Sequence, residues 1–330
     1  MIQDILQTLQ TAKEPLSGQA LADMLGVSRT TIWKHIENLR KEGYQITSLA
    51  GQGYLLTASP HRSNLHELQQ LTREGNLSIA IQIHDEVTST NDLMKQTILN
   101  QYRNQPQLIV AHRQTQGRGR QGRTFHSQIQ EGLYFSLGFQ PQGIPLEDLH
   151  LYTLLAGVAM AEAIEATYPL PESIQLKWVN DLFYQGKKIG GILSESVMSL
   201  EDSQVMYIII GIGLNIAADF TDSPMEQVAG SLFTEDVPEA FNQNKLLTHF
   251  LERFDVYNQN FQGRTFIQNY QERLLGRGKW LSYEMDGQSY EGELIGMNSH
   301  GQLLMRNQIN QVVQLDSHRI HLGSNQFKED

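Results

Sequence analysis

The chain has 330 residues and 40% hydrophobic content, which is enough for two or three domains that each bury a core. Its formal charge of −11 provides no general attraction for nucleic acid or an anionic membrane, so any anion site must be local. The absence of cysteine excludes disulfides and thiolate metal sites. No secretory pattern opens the chain, and no apolar run approaches the roughly 18 residues of a membrane span, so we predict a soluble cytoplasmic protein.

Residues 1–62 are predicted to form a winged helix-turn-helix domain. The stretch SGQALADMLGVSRTTIWKHIENLRKEGY contains a helix, a tight turn and a second helix that begins after Ser28, a suitable N-cap. The glycine-punctuated segment 44–56 predicts a two-stranded wing. Apolar residues at helical spacing predict a buried stripe on the second helix, namely Ile32, Ile36 and Leu39.

The exposed face of this second helix predicts contacts with a DNA major groove. Residues 1–60 contain five Lys/Arg and five Asp/Glu, so a single copy is not expected to bind DNA tightly. Dimerisation would double the contacts, whereas a helical interaction module that never touches DNA is the alternative. The predicted DNA contacts are Ser28, Arg29, Thr30, Thr31, Lys34 and His35.

The rest of the chain predicts two further domains and a multidomain α+β class. Residues 65–272 alternate helical stretches such as Leu146–Ala166 with strands, which is typical of a mixed α/β domain. Residues 273–330 give short strands with a turn at Asp286-Gly287, which predicts a small all-β module. The predicted central strands are Leu108–Ala111, Leu133–Phe139, Ile174–Trp178, Ile189–Leu193 and Val205–Ile212.

The segment GRGRQGR, residues 117–123, places three arginines and three glycines within seven residues. The glycines permit close approach to a ligand, while Arg118, Arg120 and Arg123 supply planar donors for phosphate or carboxylate. A dinucleotide-binding turn is disfavoured because the interposed arginines would crowd the helix packing that such a turn needs. An arginine-rich RNA-binding loop normally has basic surroundings, which this acidic chain lacks. The segment therefore predicts a site for a polyanionic ligand.

Other polar and glycine-rich segments accompany this loop. Ser89-Thr90-Asn91 and Gln114 precede it, and KWVND (177–181), KKIGGI (187–192) and GIGLN (211–215) follow it. Together with GRGRQG, these motifs closely resemble those of the bifunctional biotin protein ligase and biotin operon repressor family. The resemblance spans the whole chain and implies a winged helix-turn-helix, a central ligase domain with a class II synthetase-like fold, and a carboxy-terminal SH3-like β-barrel. Lipoate ligases share the fold but differ in the arginine- and glycine-rich motif.

The resemblance implies a two-step reaction. Biotin and ATP, with Mg²⁺ on the nucleotide, give biotinyl-5′-adenylate, and biotin then passes to a lysine of a biotin carboxyl carrier protein. Lys188, Arg118 and Arg120 are the implied catalytic residues, because two anions must be brought together. No protein-only metal site is expected. The implied regulator is a ligand-promoted homodimer on operator DNA, and a non-catalytic transcription factor that senses a biotin-like ligand is the alternative.

The resemblance also implies binding residues. The residues alone leave other readings open, because Ser89 suits an N-cap, Trp178 suits a core position and Asn180 suits an Asx turn. The implied biotin contacts are Ser89, Thr90, Asn91, Gln114, Gly117, Arg118, Arg120, Trp178, Lys188, Gly190 and Gly191. The implied nucleotide contacts are Arg118, Arg120, Arg123, Phe125, Asn180, Asp181 and Asn215.

Two positions depart from the family pattern. Phe125 stands where the family often has tryptophan, and it can stack on adenine but lacks an indole donor. Val179 stands where proline commonly follows the tryptophan. In the third domain, Arg319 is a candidate basic contact for the acceptor protein.

Overall fold

Three structural units follow one another along the chain, as the sequence predicts: helices with a two-stranded hairpin, a seven-stranded sheet with its helices, and a five-stranded sheet. The computed structural model describes residues 1–41, 43–58, 61–101, 104–125, 132–198, 205–221, 225–317 and 319–327. The second and third units share one continuous hydrophobic core, while the first unit has a core of its own. The α+β class predicted from the sequence is confirmed.

The amino-terminal unit buries the apolar stripe that the helical spacing predicts. Ile32, Ile36 and Leu39 are fully buried at the centre of its core. The Ser28 hydroxyl accepts a hydrogen bond from the backbone N–H of Thr31 at 3.1 Å, which confirms the predicted N-cap. The elements are α1 (Ile2–Thr11), α2 (Gly18–Leu25), α3 (Arg29–Lys41), β1 (Gln45–Leu49) and β2 (Gly53–Ala58).

The hairpin of β1 and β2 is fixed to the segment that precedes α2. Leu16 and Tyr54 exchange two backbone hydrogen bonds, with N···O distances of 2.9 and 2.8 Å. Gly53 begins β2 with a φ of 120°, and a Cβ there would lie 2.1 Å from the carbonyl oxygen of Leu16. Since no side chain fits in that space, glycine is required for the hairpin to dock against the helices.

The central unit is organised around a seven-stranded sheet with the order β3-β4-β5-β9-β8-β7-β6. Strand β3 runs parallel to β4, and the remaining neighbours are antiparallel. All five predicted strands are present; β4, β8 and β9 extend beyond their predicted limits, β6 is shorter than predicted, and β3 and β7 were not predicted. The strands are β3 (Ala80–Val87), β4 (Gln107–Gln114), β5 (Gly132–Phe139), β6 (Gln175–Lys177), β7 (Asp181–Tyr184), β8 (Lys187–Met198) and β9 (Val205–Asn215).

Five helices accompany this sheet in the described ranges, and the longest apolar one starts later than predicted. The sequence predicts a helix over Leu146–Ala166, but Leu146–Asp148 forms a 3-10 turn and the α-helix begins at Leu151. The His150 ring contacts the carbonyl oxygen of Glu147 at 2.7 Å, so a side chain occupies an acceptor that a continuous helix would use. The helices are α4 (Leu65–Glu74), α5 (Thr90–Asn100), α6 (Leu151–Thr167), α7 (Gln243–Gln259) and α8 (Thr265–Glu272).

Residues 146–167 are long and apolar enough to cross a membrane by length and composition alone, so the expectation that no run approaches this limit was wrong. In the described part of the chain this is the one stretch that meets the test, and 72% of its most apolar 18-residue window is buried inside the protein. The fold therefore uses α6 as its core helix.

The carboxy-terminal unit is an antiparallel five-stranded sheet with the order β13-β12-β11-β10-β14, consistent with an SH3-like domain. Asp286 and Gly287 form the predicted turn with φ values of 51° and 79°. Leu176 and Leu274 form a bridge, so the chain just after α8 still belongs to the edge of the central sheet. The strands are β10 (Trp280–Met285), β11 (Gln288–Met297), β12 (Leu303–Arg306), β13 (Val312–Leu315) and β14 (Ile320–His321).

We expect Gly53→Ala to destabilise the wing by roughly 2 kcal/mol, because the new Cβ meets backbone atoms as well as an unfavourable φ. Amide hydrogen exchange of β1 and β2 measures the effect. Gly51→Ala is the matched control, since Gly51 also has a positive φ (73°) but has no atom within 4 Å of a Cβ. It should cost about 1 kcal/mol. Equal protection factors in the two variants would contradict the docking role of Gly53.

Candidate functional site

A cavity of about 300 Å³ opens where the glycine and arginine loop, the centre of the sheet and the carboxy-terminal unit meet. Its floor is formed by the adjacent strands β8 and β9, and its wall includes Ser317, Ile320 and Leu322 of the third unit. The predicted ligand contacts that line this cavity are Ser89, Thr90, Asn91, Gln114, Arg118, Arg120, Arg123, Phe125, Trp178, Asn180, Asp181, Lys188 and Gly191.

The carboxylate of Asp181 lies between two ammonium groups at the inner end of this cavity. Its Oδ1 is 2.5 Å from Lys188 Nζ, and its Oδ2 is 3.3 Å from Lys177 Nζ. Burial alone would raise the pKa of the Asp181 carboxyl, but the neighbouring charges of Lys188 and Lys177 lower it below its usual value. Asp181 therefore stays ionised and holds both cations in place.

Lys177 is a site residue that the sequence reasoning did not select. It is 6% exposed, and its Nζ lies 6.0 Å from the centre of the Phe327 ring of the third unit. Burial lowers the pKa of the Lys177 ammonium, an effect that Asp181 opposes. A lysine inside the apolar run from Ile174 to Trp178 was the available signal, because a buried ammonium requires a nearby carboxylate.

Two loop arginines are anchored by different parts of the structure. Arg120 Nη2 donates to the carbonyl oxygen of Ser317 at 3.2 Å, which ties the loop to the third unit. Burial lowers the pKa of the Arg120 guanidinium, although Asp181 acts against this shift. Arg118 Nη2 forms ion pairs with Asp92 at 2.6 Å and Glu195 at 2.9 Å. A ligand anion must therefore compete with two carboxylates for Arg118.

The loop has a defined hydrogen-bonded form up to Phe125, and residues 126–131 lie outside the described ranges. The Gly119 N–H donates to the Arg123 carbonyl oxygen at 2.7 Å, and the Phe125 N–H donates to the Gly117 carbonyl oxygen at 2.9 Å. These bonds fold the loop back on itself so that its arginines project from a short turn. Gly122 has a φ of 72°, which this turn requires.

The Phe125 ring lies on the glycine-lined floor of the cavity. A Cβ at Gly213 would be 2.5 Å from this ring, and a Cβ at Gly191 would be 3.5 Å from it. The ring also packs edge-on against Tyr134 with centroids 6.3 Å apart. Glycines on adjacent strands β8 and β9 thus provide a flat apolar surface that accepts a planar ring.

A polar cluster forms the wall of the cavity at the start of α5. The Gln114 Oε1 accepts hydrogen bonds from the Thr90 backbone N–H at 2.8 Å and from the Thr90 hydroxyl at 3.2 Å. The Ser136 hydroxyl bridges Thr90 Oγ1 and Asn91 Oδ1 at 2.8 and 2.6 Å. Ser89 is the N-cap of α5, so its structural reading holds while it also lines the cavity.

Three predicted ligand contacts do not line the cavity, and their ligand roles stay predictions. The Gly117 carbonyl oxygen accepts the Phe125 N–H within the loop. Gly190 packs closely against β9, because a Cβ there would approach the Gly213 carbonyl oxygen to 2.8 Å. Asn215 is 5% exposed, and its Nδ2 donates to the Gly230 carbonyl oxygen at 2.9 Å. Its Oδ1 is buried without a hydrogen-bond partner in the described structure.

Trp178 and Asn180 also have structural contacts. The Trp178 indole N–H donates to the Gly301 carbonyl oxygen of the third unit at 2.9 Å, and the side chain is 6% exposed. The Trp178–Val179 peptide bond is cis. Asn180 pairs with Ile192 through a side-chain bond of 3.0 Å and a backbone bond of 2.9 Å. Both residues line the cavity while fixing their neighbours.

Arg319 lies outside the cavity wall. Its Nη2 forms an ion pair with Asp286 at 2.5 Å across the hairpin turn of β10 and β11. The pair is about half exposed, and a partner protein must compete with Asp286 for this cation.

On the predicted DNA-binding surface, α3 presents Arg29, Thr30 and Lys34 to solvent. His35 is partly exposed, and its Nδ1 is buried with no hydrogen-bond partner among the described residues. Trp33, which the sequence reasoning did not select, is 53% exposed. It borders a groove between α3 and the wing that Arg29 and Gln52 also line. The exposed surface of α3 therefore includes Trp33 beside the predicted contacts, whose role in DNA binding stays a prediction.

Comparison with known proteins finds relatives of both the central and the amino-terminal units. The profile of the Biotin/lipoate A/B protein ligase family matches residues 84–215, and that of an HTH domain matches residues 2–55. The Bifunctional ligase/repressor BirA of Bacillus subtilis (strain 168) is 33% identical over 90% of this chain and 90% of its own length. BirA of Escherichia coli (strain K12) is 30% identical over 61% of this chain and 59% of its own length.

The chain belongs to the bifunctional biotin ligase and repressor family. A solved structure of biotin protein ligase from Aquifex aeolicus in complex with biotin and ATP is similar to it, with 26% identity and a TM-score of 0.60. That likeness covers 74% of this chain and 98% of the Aquifex chain. The family assignment inferred from GRGRQG and KWVND is confirmed.

This member of the ligase/repressor family has site residues that its motifs do not reveal. Asp92 and Glu195 form ion pairs with Arg118, and the Ser317 carbonyl oxygen accepts a hydrogen bond from Arg120. These partners lie outside the loop and its motif. The sequence offers little signal for these pairs, because acidic residues are common on surfaces and Ser317 contributes only a backbone carbonyl.

We expect Asp181→Asn to destabilise the protein at neutral pH by roughly 3 kcal/mol, because two cations lose their buried counter-ion. The folded-state pKa of Asp181 lies below the reference value of 3.8, so its contribution is fully present above that value and is lost as the pH falls through the folded pKa. The difference in free energy of unfolding should be constant between about pH 5 and 8 and shrink in stronger acid.

Denaturant titrations of the wild-type and variant proteins across this pH range provide the measurement. The control is Asp23→Asn, which changes an exposed carboxylate on α2. A stability difference that grows on acidification, or that matches the control at every pH, would refute the role assigned to Asp181.

Proposed function

We propose that the chain activates biotin with ATP to form biotinyl-5′-adenylate and then transfers biotin to one lysine of a biotin carboxyl carrier protein. The observation that carries this proposal is the convergence of Lys188, Arg118 and Arg120 on one cavity with polar and aromatic walls. The family membership supports biotin ligation and repression in one chain.

In the first step, a carboxylate oxygen of biotin attacks the α-phosphorus of ATP, and the bond to the bridging oxygen of pyrophosphate breaks. Pyrophosphate leaves with the electron pair of that bond. The approach of two anions is the main obstacle, so fixed cations lower the barrier. Lys188 is 30% exposed within the cavity, which allows its ammonium to reach a reacting oxygen while Asp181 positions it.

Mg²⁺ enters as part of the nucleotide substrate and shares the charge of the triphosphate. In the described ranges no group of three His, Asp or Glu side chains is arranged to hold a metal ion. Asp181 already forms ion pairs with two lysines. We therefore assign the positive charge that the protein itself supplies to Lys177, Lys188 and the loop arginines.

In the second step, the neutral amine of the acceptor lysine attacks the acyl carbon, the bond to the phosphate oxygen breaks, and AMP leaves with the electron pair of that bond while the amine nitrogen releases one proton to solvent. The low pKa of Asp181 suits a group that positions Lys188 better than one that accepts this proton at neutral pH. Ser317, Ile320 and Leu322 border the cavity, so the third unit forms part of the path by which the acceptor approaches.

The chemistry of the cavity wall indicates where each part of the two substrates binds. We assign the ureido group of biotin to the cluster of Ser89, Thr90 and Gln114, and the apolar body of biotin to Trp178. We assign the adenine to the glycine floor, where the Phe125 ring already lies close to Gly213. Phe125 must therefore shift so that it stacks on the base instead of the sheet.

Lys188→Ala should slow adenylate formation roughly 100-fold, because the variant lacks a cation that acts on the developing charge. Pyrophosphate release with biotin and Mg-ATP measures the first step, and the mass gain of a carrier domain measures the transfer. Lys187→Ala is the matched control, since Lys187 is the adjacent exposed lysine and is absent from the cavity wall. Failure of the wild-type chain to transfer biotin would leave the non-catalytic sensor as the remaining function.

We further propose that the chain acts in the cytoplasm as a ligand-promoted homodimer that binds a two-fold operator through α3 and the wing. The amino-terminal domain has balanced charge, so one copy gains little from phosphate contacts and two copies are needed for tight binding. Trp33 adds an apolar surface suited to a thymine methyl group in the major groove.

Lys34→Ala should weaken binding to a duplex selected from random sequence and reduce the salt slope of the binding constant by about 1, because one phosphate contact is lost. Fluorescence anisotropy at several salt concentrations gives the slope. Lys13→Ala removes an exposed lysine outside α3 and should leave the slope unchanged. Identical slopes for both variants would argue against the assigned binding face.

A further inference from the structure

A buried polar network joins the amino-terminal domain to the central domain. Tyr44, which follows α3, is 2% exposed, and its hydroxyl donates to Asn64 Oδ1 at 3.0 Å. Asn64 is 6% exposed and is the N-cap of α4, the first helix of the central domain. Helix α1 packs against α4 beside this contact.

The side-chain amide of Asn64 is held in one orientation. Its Oδ1 also accepts from the backbone N–H of Glu67 at 3.0 Å, and its Nδ2 donates to Glu67 Oε2 at 3.2 Å. Because a backbone N–H can only donate, the oxygen must face that group. The same atom therefore caps α4 and receives the Tyr44 hydroxyl, so the domain contact is built on a helix cap.

The Glu67 carboxylate extends the network to α7. Its Oε1 accepts from Asn242 Nδ2 at 2.8 Å, and its Oε2 accepts from Asn244 Nδ2 at 2.9 Å. Asn244 in turn accepts the backbone N–H of Asn64 through its Oδ1 at 2.9 Å. Hydrogen bonds to a carboxylate are stronger than those between neutral groups, so the start of α7 and the start of α4 are firmly connected.

The linker that leads to α4 is fixed by the same helix and by the central sheet. The Ser63 backbone N–H donates to Gln243 Oε1 at 3.1 Å, and the Gln243 backbone N–H donates to the His61 carbonyl oxygen at 3.0 Å. The Ser63 carbonyl oxygen lies 2.9 Å from His112 Nε2 on β4, two residues before Gln114 in the cavity wall. Residues 61–63 are therefore held by α7 and β4.

We infer that this network is a rigid joint that sets the orientation of α3 relative to the central domain, with Tyr44 as a positioning residue for operator binding. The inference rests on the proposed repressor function. A dimer reads two half-sites about one helical turn apart, so both recognition helices must be held at a fixed separation. Loosening the joint spreads that separation and reduces the fraction of molecules able to bind both half-sites.

Tyr44→Phe removes the hydroxyl and leaves the Asn64 cap bonded to Glu67. The chain has no cysteine, so spin labels attach only at introduced sites, and Met24→Cys and Leu99→Cys use positions that are 64% and 66% exposed. We expect a broader distribution of label distances in Tyr44→Phe than in the wild type. Tyr152→Phe, which removes a 2.9 Å bond to Asn258 within the central domain, should leave the distribution unchanged.

The second measurement compares operator binding with ligation in the unlabelled chain. Tyr44→Phe should raise the Kd for the selected duplex roughly fivefold to tenfold, while the rate of biotin transfer to the carrier domain stays at the wild-type value. An unchanged Kd, or a loss of transfer equal to the loss of binding, would overturn the positioning role. If the wild-type chain binds no duplex, the repressor proposal fails, and the label distances still decide whether the joint is rigid.

Discussion

The carboxylate of Asp181 is the contact on which the site depends, because it lets two ammonium groups share the inner end of one cavity. Without it, Lys177 and Lys188 would repel each other, and burial would favour the neutral form of Lys177. With it, Lys188 remains ordered and partly exposed where a ligand anion can reach it. A chain with a formal charge of −11 thus keeps a local positive site.

The floor of the cavity follows from the absence of side chains at a few sheet positions. A Cβ at Gly211 would lie 2.2 Å from Asn91 Oδ1, and one at Gly213 would lie 2.5 Å from the Phe125 ring. These glycines let α5 and the arginine loop approach the sheet directly. Other residues on the same strands pack into the hydrophobic core, so the packing of the domain and the shape of the site are set together.

The site and the DNA-binding surface are properties of the assembled chain. The third domain contributes Ser317 to the arginine loop and the Gly301 carbonyl to Trp178. The first domain is held by Asn64 on a helix cap of the central domain. The contacts with the third domain therefore shape the cavity, while the contact at Asn64 sets the position of the DNA-binding surface.

The sequence by itself determined the three-part organisation, five of the seven central strands and about half of the cavity residues, because glycine patterns, helical periodicity and the GRGRQG and KWVND motifs are local. Only the tertiary structure decided that Glu195 reaches Arg118 across 77 positions, and that Nδ1 of His35 is buried while Trp33 is exposed. It also moved the start of α6 past Leu146. Ion pairs and side-chain exposure depend on which surfaces pack together. That packing is determined by the burial of the whole core rather than by any short stretch of sequence.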